Sequence, residues 1–157
     1  MASSKLPSQQ PLKGWVLFQP LVDKAMIPSR GSAHSAGYDL YVSPVFEPVK
    51  LLPGKRVLVG TGIAWQPSSE EVYMRIAPRS GLSLSGIDIG GGVVDPDYRG
   101  EIGIIVINNG DNEFEITPFQ KIAQGIITPF MEYPIVDSNK ALSQTQRGNK
   151  GFGSTGK

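Results

Sequence analysis

The sequence has 157 residues, a formal net charge of +1 at pH 7, 19 glycines, 13 prolines and no cysteine. This length is sufficient for one domain with a buried core, and the balanced charge creates no global field that favours nucleic acid or an anionic membrane. The absence of cysteine excludes disulfides, thiolate metal sites and a cysteine nucleophile. We therefore expect one domain whose partners include neither nucleic acid nor a membrane.

The N-terminal region carries no clear targeting signal. Residues 1–14 are polar and contain two prolines, so we expect them to be disordered. The apolar run from Trp15 to Phe18 is soon interrupted by Pro20, which makes it too short for a signal peptide or a membrane span. The serine content is faintly like that of a transit peptide, but no arginine precedes Arg30. The default expectation is a soluble intracellular protein, cytoplasmic or nuclear.

Short segments of alternating hydrophobicity follow. Lys55 to Thr61 and Glu71 to Ala77 alternate with period two, and the second segment places Val72, Met74 and Ile76 on one face. This pattern predicts strands. Ile102 to Ile107 is almost continuously apolar, which predicts a strand covered on both faces. A subunit interface is one way to cover the second face.

The remaining elements are also short. Residues 108–112 form a strong turn signal, and strands are expected near 114–116 and 120–127. Glycine and proline occur throughout, which argues against long helices, and only residues 80–85 favour a helical turn or two. The sequence therefore predicts an all-β, jelly-roll-like barrel or sandwich with flexible N- and C-terminal arms.

Two aspartates and one histidine are candidates for chemistry. Asp39 lies among apolar neighbours, where a carboxylate is costly unless it is paired. Asp95 follows a glycine run and two valines, and it is either a catalytic carboxylate or part of a hairpin tip. His34, the sole histidine, lies among serine and alanine in an apparent loop, and we interpret it as a solvated residue.

Two other segments have the composition of anion sites. Pro78 to Ser83 combines a guanidinium, hydroxyls and the start of a short helix, although an ordinary capped helix uses the same residue types. Arg147 to Lys157 contains four glycines, basic residues, hydroxyls and a lone Phe152. Such a tail either binds phosphate and stacks its ring on a base, or is simply a disordered Gly/Ser tail.

Five segments together resemble, in order, the five motifs of the trimeric dUTP diphosphatases (dUTPases). They are Ala36-Gly-Tyr-Asp-Leu40, Pro78-Arg-Ser-Gly-Leu82, Gly92-Val-Val-Asp-Pro-Asp-Tyr-Arg-Gly100, Lys121-Ile-Ala-Gln124 and Arg147-Gly-Asn-Lys-Gly-Phe-Gly-Ser-Thr-Gly156. The resemblance extends from about Val16 to the C-terminus. One departure is Gly125, where the family pattern leads us to expect a bulky Leu or Met.

The resemblance implies a homotrimeric, Mg²⁺-dependent enzyme that converts dUTP to dUMP and pyrophosphate. Asp95 would orient and deprotonate the water that attacks the α-phosphorus, and Asp39 would hold water molecules on a Mg²⁺ that bridges the triphosphate. Phosphate contacts would come from Arg79, Ser80, Gly81, Gln124, Arg147, Gly153 and Ser154.

The same resemblance implies how the nucleoside is recognised. The hairpin backbone from Gly92 to Gly103, including Val93 and Val94, would pair with the uracil edge. Tyr98 would lie under the deoxyribose and leave no room for a 2′-hydroxyl. The tail would close over the nucleotide with Phe152 stacked on uracil, and each site would combine motifs from three chains.

These expectations divide the chain into residues 1–14, a core domain over residues 15–136 and a C-terminal arm over residues 137–157. Two rival functions remain open. The first is a dCTP deaminase on a similar fold, which needs a carboxylate near the second motif, where Asp88 is the nearest one along the chain. The second is a non-enzymatic, capsid-like jelly-roll module whose tail is an assembly arm.

Overall fold

The computed structural model describes residues 14–149 and consists mostly of antiparallel β-strands. Within this part of the chain there are eleven strands and one short helix, α1 (Ser80–Leu84). The strands are β1 (Val16–Pro20), β2 (Tyr38–Tyr41), β3 (Val49–Leu51), β4 (Arg56–Gly60), β5 (Ile63–Pro67), β6 (Val72–Ala77), β7 (Ile87–Gly90), β8 (Val93–Val94), β9 (Gly103–Asn108), β10 (Phe114–Ile116) and β11 (Lys121–Pro129).

The largest sheet has the strand order β2-β11-β6-β8, so its neighbours are distant in sequence. Three further sheets have the orders β4-β9-β7, β1-β5 and β10-β3. All of these pairs are antiparallel. In the largest sheet, β11 pairs with both β2 and β6, which brings the first, second and fourth sequence motifs to neighbouring positions.

The alternating segments predicted as strands are confirmed, because β4 and β6 occupy them. On β6, Met74 and Ile76 are buried while Arg75 is exposed, as a strand with one face on the core requires. The predicted strands near residues 114–116 and 120–127 correspond to β10 and β11, and the predicted helical turn to α1. The expectation of a mostly β protein is therefore confirmed.

Among residues 14–149, one apolar cluster fills the interior. Its largest fully buried side chains include Trp65, Leu40 and Ile104. Burial of one such aliphatic side chain contributes about 1.5–3 kcal/mol, so this cluster dominates the stability of the fold. It also fixes the register of β9, since a slip by one residue would expose Ile104 and Val106.

The second face of β9 is only partly covered in one chain. Ile105 and Ile107 are half-buried, and Leu58, the register partner of Ile105 on β4, is 65% exposed. The apolar sequence of this strand had predicted cover on both faces. The uncovered side is available for contact with another chain.

The chain after β11 is exposed from residue 131 to residue 149 and forms no strand or helix in the part that the structure describes. Residues 1–13 and 150–157 lie outside the described residues, so the predicted arms and the boundaries at residues 14 and 136 remain predictions. The described chain includes no helix of the length and apolar character needed to span a membrane.

Candidate active site

Asp39 lies on β2 with both carboxylate oxygens in contact with cations. Nε of Arg79 is 3.2 Å from Oδ1, and Nζ of Lys121 is 2.8 Å from Oδ2. The Asp39 side chain is only 14% exposed, which strengthens these contacts relative to a surface ion pair. The expectation that this carboxylate must be paired is thereby met.

Each member of this group is held by a different element. Asp39 is fixed by the hydrogen bond from its backbone N–H to the Ser29 carbonyl oxygen, at 2.8 Å. Arg79 directly precedes α1, and its Nη1 also reaches the carbonyl oxygen of Lys121 at 3.5 Å. Lys121 begins β11. Its hydrogen bond to Asp39, and then the charge of that carboxylate, raise the pKa of Lys121 above its ordinary value of 10.5.

Gln124 joins the same site from β11, opposite Asp39 in the strand register. Its Nε2 donates to the carbonyl oxygen of Pro78 at 2.9 Å, which ties the fourth motif to the second. A Cβ at Gly37 would overlap the Gln124 side chain, so the glycine of the first motif leaves the space that this glutamine occupies. We call Asp39, Arg79, Lys121 and Gln124 the Asp39 cluster.

The Asp39 cluster has one positive charge in excess and adjoins the start of α1. The first turn of α1 contains no acidic residue, and Ser80 and Gly81 are exposed there. A Cβ at Gly81 would meet open space, so a ligand can approach this backbone closely. The arrangement suits an anion, because the free N–H groups of a helix start and a guanidinium both favour negative charge.

The third motif begins with a close backbone contact to β6. The Ile76 N–H donates to the Gly92 carbonyl oxygen at 2.9 Å, and a Cβ at Gly92 would overlap the Ile76 carbonyl oxygen. Val93 and Val94 then form β8, with Val94 buried and Val93 more than half exposed. A glycine is thus required where the chain enters β8 at the edge of this sheet.

Asp95 and Tyr98 share a cleft of about 310 Å³ with Leu58, Val93 and Gly103. Asp95 is exposed, and its carbonyl oxygen accepts the Tyr98 N–H at 3.2 Å in a tight turn. Asp95 therefore lies at a turn, but not at the tip of a hairpin, because β8 and β9 belong to different sheets. The same residue also lines the cleft. A position at a turn is therefore compatible with a role for Asp95 in the cleft.

The two parts of the predicted site are separate within one chain. In the described range, the walls of the Asp95 cleft include no member of the Asp39 cluster. Arg147 lies in the exposed segment that follows β11. Phe152, Gly153 and Ser154 fall outside the described residues.

Other candidate groups are arranged less favourably for catalysis. Asp88 lies on β7, where it is exposed and its Oδ1 accepts the N–H of Ile89 at 2.8 Å, and β7 belongs to a different sheet from Asp39. His34 is exposed in a loop. Among residues 14–149 there is no group of three or more His, Cys, Asp or Glu side chains that could hold a metal ion by themselves.

Lys121 belongs to the fourth motif, but the sequence pattern predicts no role for it. In a regular strand, residues 121 and 124 would face opposite sides of the sheet. The pairing of β11 with β2 shifts register between Lys121 and Ala123, so simple alternation cannot be carried from Lys121 to Gln124. The sequence carried no signal for this irregularity.

The comparisons with known proteins agree with this architecture. The dUTPase family model matches residues 23–156. The deoxyuridine 5'-triphosphate nucleotidohydrolase of Swinepox virus (strain Kasza) is 53% identical over 137 residues, which are 87% of this chain and 93% of the relative. The protein of the same name from Rabbitpox virus (strain Utrecht) is 47% identical over 141 residues, 90% of this chain and 92% of the relative.

Solved structures show the same fold. The dUTPase of Staphylococcus bacteriophage 80alpha, solved with dUpNHpp, has a TM-score of 0.80 and 25% identity, covering 90% of this chain and 98% of that one. A variant of the dUTPase from phage phi11 of S. aureus, solved with a structural Mg(II) ion, has a TM-score of 0.72 and 22% identity. The match covers 82% of this chain and 99% of that one. The fold of this chain thus occurs in a known class of antiparallel β proteins. The chain belongs to the dUTPase family.

Proposed function

We propose that this protein hydrolyses dUTP to dUMP and pyrophosphate by attack of a water molecule on the α-phosphorus. The observation that carries the proposal is the exposed Asp95 carboxylate beside Tyr98 in a cleft large enough for a nucleoside. Family membership supports the overall reaction.

Asp95 acts as the general base. Its carboxylate is solvent-accessible and held at a turn, so it can accept a proton from a water molecule on the substrate side. A positioned base of this kind contributes about 10²–10⁴-fold to a rate. The reaction requires no covalent intermediate, because the water attacks directly and pyrophosphate leaves.

The triphosphate is held by the second and fourth motifs and by the tail. Arg79 and Gln124 are already aligned beside the start of α1, where Ser80 and Gly81 expose backbone and hydroxyl donors. Arg79 then exchanges part of its contact with Asp39 for the phosphate oxygens. Donors aligned before substrate binds stabilise the charge of the transition state with little reorganisation.

Asp39 fits a magnesium ion only through water. An ionised carboxylate has about four lone-pair sites, and Arg79 and Lys121 occupy two of them. The remaining two can accept hydrogen bonds from water ligands of Mg²⁺, which normally retains several waters and takes its direct ligands from substrate phosphates. When bound, Mg²⁺ neutralises charge on the triphosphate. Asp39 would orient the water molecules around that ion.

The third motif selects the base and the sugar. Backbone groups between Gly92 and Gly103 pair with the uracil edge, and cytosine would leave some of them unpaired because its donors and acceptors are exchanged. A narrow slot excludes the methyl group of thymine. Tyr98, which is 46% exposed in the cleft, lies under the deoxyribose and excludes a 2′-hydroxyl.

The complete site is shared by three chains of a homotrimer with a jelly-roll core. Asp95 and the Asp39 cluster do not line one common cleft in the described chain, which supports their joining across a subunit boundary. The exposed apolar residues around Leu58 and Val93 offer a surface for that contact. The tail supplies Arg147, Gly153 and Ser154 to the phosphates and stacks Phe152 on uracil, acting as a lid.

Hydrolysis in ¹⁸O-labelled water tests the reaction directly. Attack at the α-phosphorus places the label in dUMP and leaves pyrophosphate unlabelled. Label in pyrophosphate, or no pyrophosphate from dUTP, would contradict the proposal. A parallel assay for ammonia release from dCTP tests the deaminase alternative, for which the first turn of α1 provides no carboxylate.

A further inference from the structure

Glu101 connects the end of the third motif to the turn between β4 and β5. Its Oε1 accepts the N–H of Gly62 at 2.7 Å. A Cβ at Gly60 would lie 2.6 Å from the same oxygen, so the carboxylate packs directly against the backbone of this turn. A side chain at position 60 would therefore displace the Glu101 carboxylate from this position.

The backbone of the same residue contacts Tyr98. The Tyr98 hydroxyl donates to the Glu101 carbonyl oxygen at 3.0 Å, and Gly100 lies against the tyrosine ring, where a Cβ would overlap the hydroxyl. The phenol is thus located by the backbone from Gly100 to Glu101. Any shift of this segment moves the aromatic ring in the cleft.

Other hydrogen bonds hold the neighbouring backbone without help from the carboxylate. The Ile102 N–H donates to the Ile63 carbonyl oxygen at 2.9 Å, and the Thr61 hydroxyl donates to the Ile102 carbonyl oxygen at 2.7 Å. Ile102 is fully buried as well. The fold at this point is therefore already secured. The Glu101 carboxylate adds a charge-assisted bond that fixes the residue whose carbonyl oxygen accepts the Tyr98 hydroxyl.

We propose that Glu101 is a positioning residue for sugar selection: its carboxylate, bound to the Gly62 N–H, holds the backbone that sets the position of Tyr98. This inference rests on the proposed dUTPase function and on the proposed contact of Tyr98 with deoxyribose. It assigns a specificity role to a residue that itself need not touch the substrate. Small displacements of positioning groups are costly, so a measurable loss of selectivity is expected.

The test compares kcat/KM for dUTP and UTP in Glu101→Ala, Glu101→Gln and Tyr98→Ala. Glu101→Ala should lower the dUTP-to-UTP ratio about tenfold, well within the range that small misplacements produce. Glu101→Gln retains an oxygen acceptor for the Gly62 N–H and should keep most of the selectivity. Glu113→Ala removes an exposed carboxylate that pairs with Lys50 away from the cleft, and should leave the ratio unchanged.

The possible failures are distinguishable. If Tyr98→Ala lowers the ratio and Glu101→Ala does not, the positioning role is wrong while the sugar contact stands. If Tyr98→Ala leaves the ratio unchanged, the sugar contact is wrong and the inference is overturned with it. A fall in melting temperature of Glu101→Ala with an unchanged ratio would show a purely structural role, which also overturns the inference.

A second variant displaces the carboxylate without removing it. Gly60→Ala places a methyl group against Oε1 of Glu101 and should lower the dUTP-to-UTP ratio in the same direction. Added to Glu101→Ala, it should cause no further loss of selectivity, because the side chain that it displaces is already absent. Additive losses in the double variant would mean that Gly60 acts independently of Glu101, contrary to the inference.

Discussion

The ammonium group of Lys121 lies 2.8 Å from Oδ2 of Asp39, on the side of the carboxylate opposite Arg79. If Arg79 turns toward a phosphate, as we propose, the Lys121 contact keeps the Asp39 carboxylate paired. An unpaired carboxylate in a partly buried position would be costly. The Lys121 contact therefore leaves Arg79 available for the proposed binding of phosphate. Lys121 is in this account a part of the site and not only of its strand.

The Lys121–Asp39 pair predicts a specific dependence of stability on pH. The pKa of Lys121 is raised in the folded protein above its ordinary value of 10.5. Folding therefore favours the protonated lysine, and the resulting stabilisation is complete below the unfolded-state pKa and is lost as the pH rises through the folded-state pKa. The difference in unfolding free energy between the wild type and Lys121→Met should be constant at neutral pH and shrink above pH 10.5.

The control for this measurement is the Asp39→Asn background. With no carboxylate to pair, Lys121→Met should change stability by an amount that no longer depends on pH in this way. Denaturant titrations of the four proteins across the alkaline range provide the data. A pH-dependent difference that persists without Asp39 would assign the raised pKa to another partner.

Asp95→Asn should lower kcat by about two to four orders of magnitude, because asparagine keeps the shape of the side chain but cannot accept the proton of the water. Affinity for a non-hydrolysable dUTP analogue should change little. Asp88→Asn, at an exposed carboxylate in another sheet, is the matched control and should retain normal turnover. Near-normal turnover in Asp95→Asn would remove Asp95 from the mechanism.

A larger side chain at position 125 should disturb the packing of the core. A Cβ at this buried position would lie 2.8 Å from the Met74 sulfur, so Met74 occupies the space that a bulky residue after the fourth motif would need. Gly125→Leu should destabilise the protein by about 1–3 kcal/mol through overpacking. Met74→Ala should offset part of that cost. Denaturation midpoints of the two single variants and the double variant measure the coupling, and strict additivity would contradict a shared space.

A chain that stops after Gln146 should fold, remain trimeric and lose most of its dUTPase activity. The reason is that the tail is proposed to close over bound nucleotide and to take no part in the core. Analytical ultracentrifugation and a pyrophosphate assay provide the two readouts. Dissociation into monomers would instead identify the last eleven residues as an assembly arm, as the capsid-like alternative holds.

Local sequence patterns predicted the features that depend only on residues close together in the chain. The alternation around Met74 and Ile76 defined β6, and the apolar neighbours of Asp39 predicted that this carboxylate must be paired. The partners of Asp39 could not be derived in the same way. Arg79 and Lys121 are 40 and 82 residues further along the chain, and only the pairing of β11 with β2 and β6 brings them together.

Other features depend on contacts that no local pattern contains. The bulge after Lys121 and the packing of Met74 against Gly125 both arise where two distant strands meet. β1 contains Pro20 and β3 has only three residues, so neither gave a periodic signal long enough to interpret. The order of the five motifs, by contrast, could be read directly and led to the correct family.

The shared active site is the central claim, and subunit complementation tests it most directly. Asp95→Asn trimers and trimers truncated after Gln146 are each expected to be inactive. If the two are unfolded together and refolded in equal amounts, random assembly should place an intact Asp95 and an intact tail from different chains in about a quarter of the sites. Activity should therefore return to roughly a quarter of the unmutated level. If both groups came from one chain, every site would carry a defect, so a mixture that refolds into trimers yet stays inactive would contradict the three-chain site.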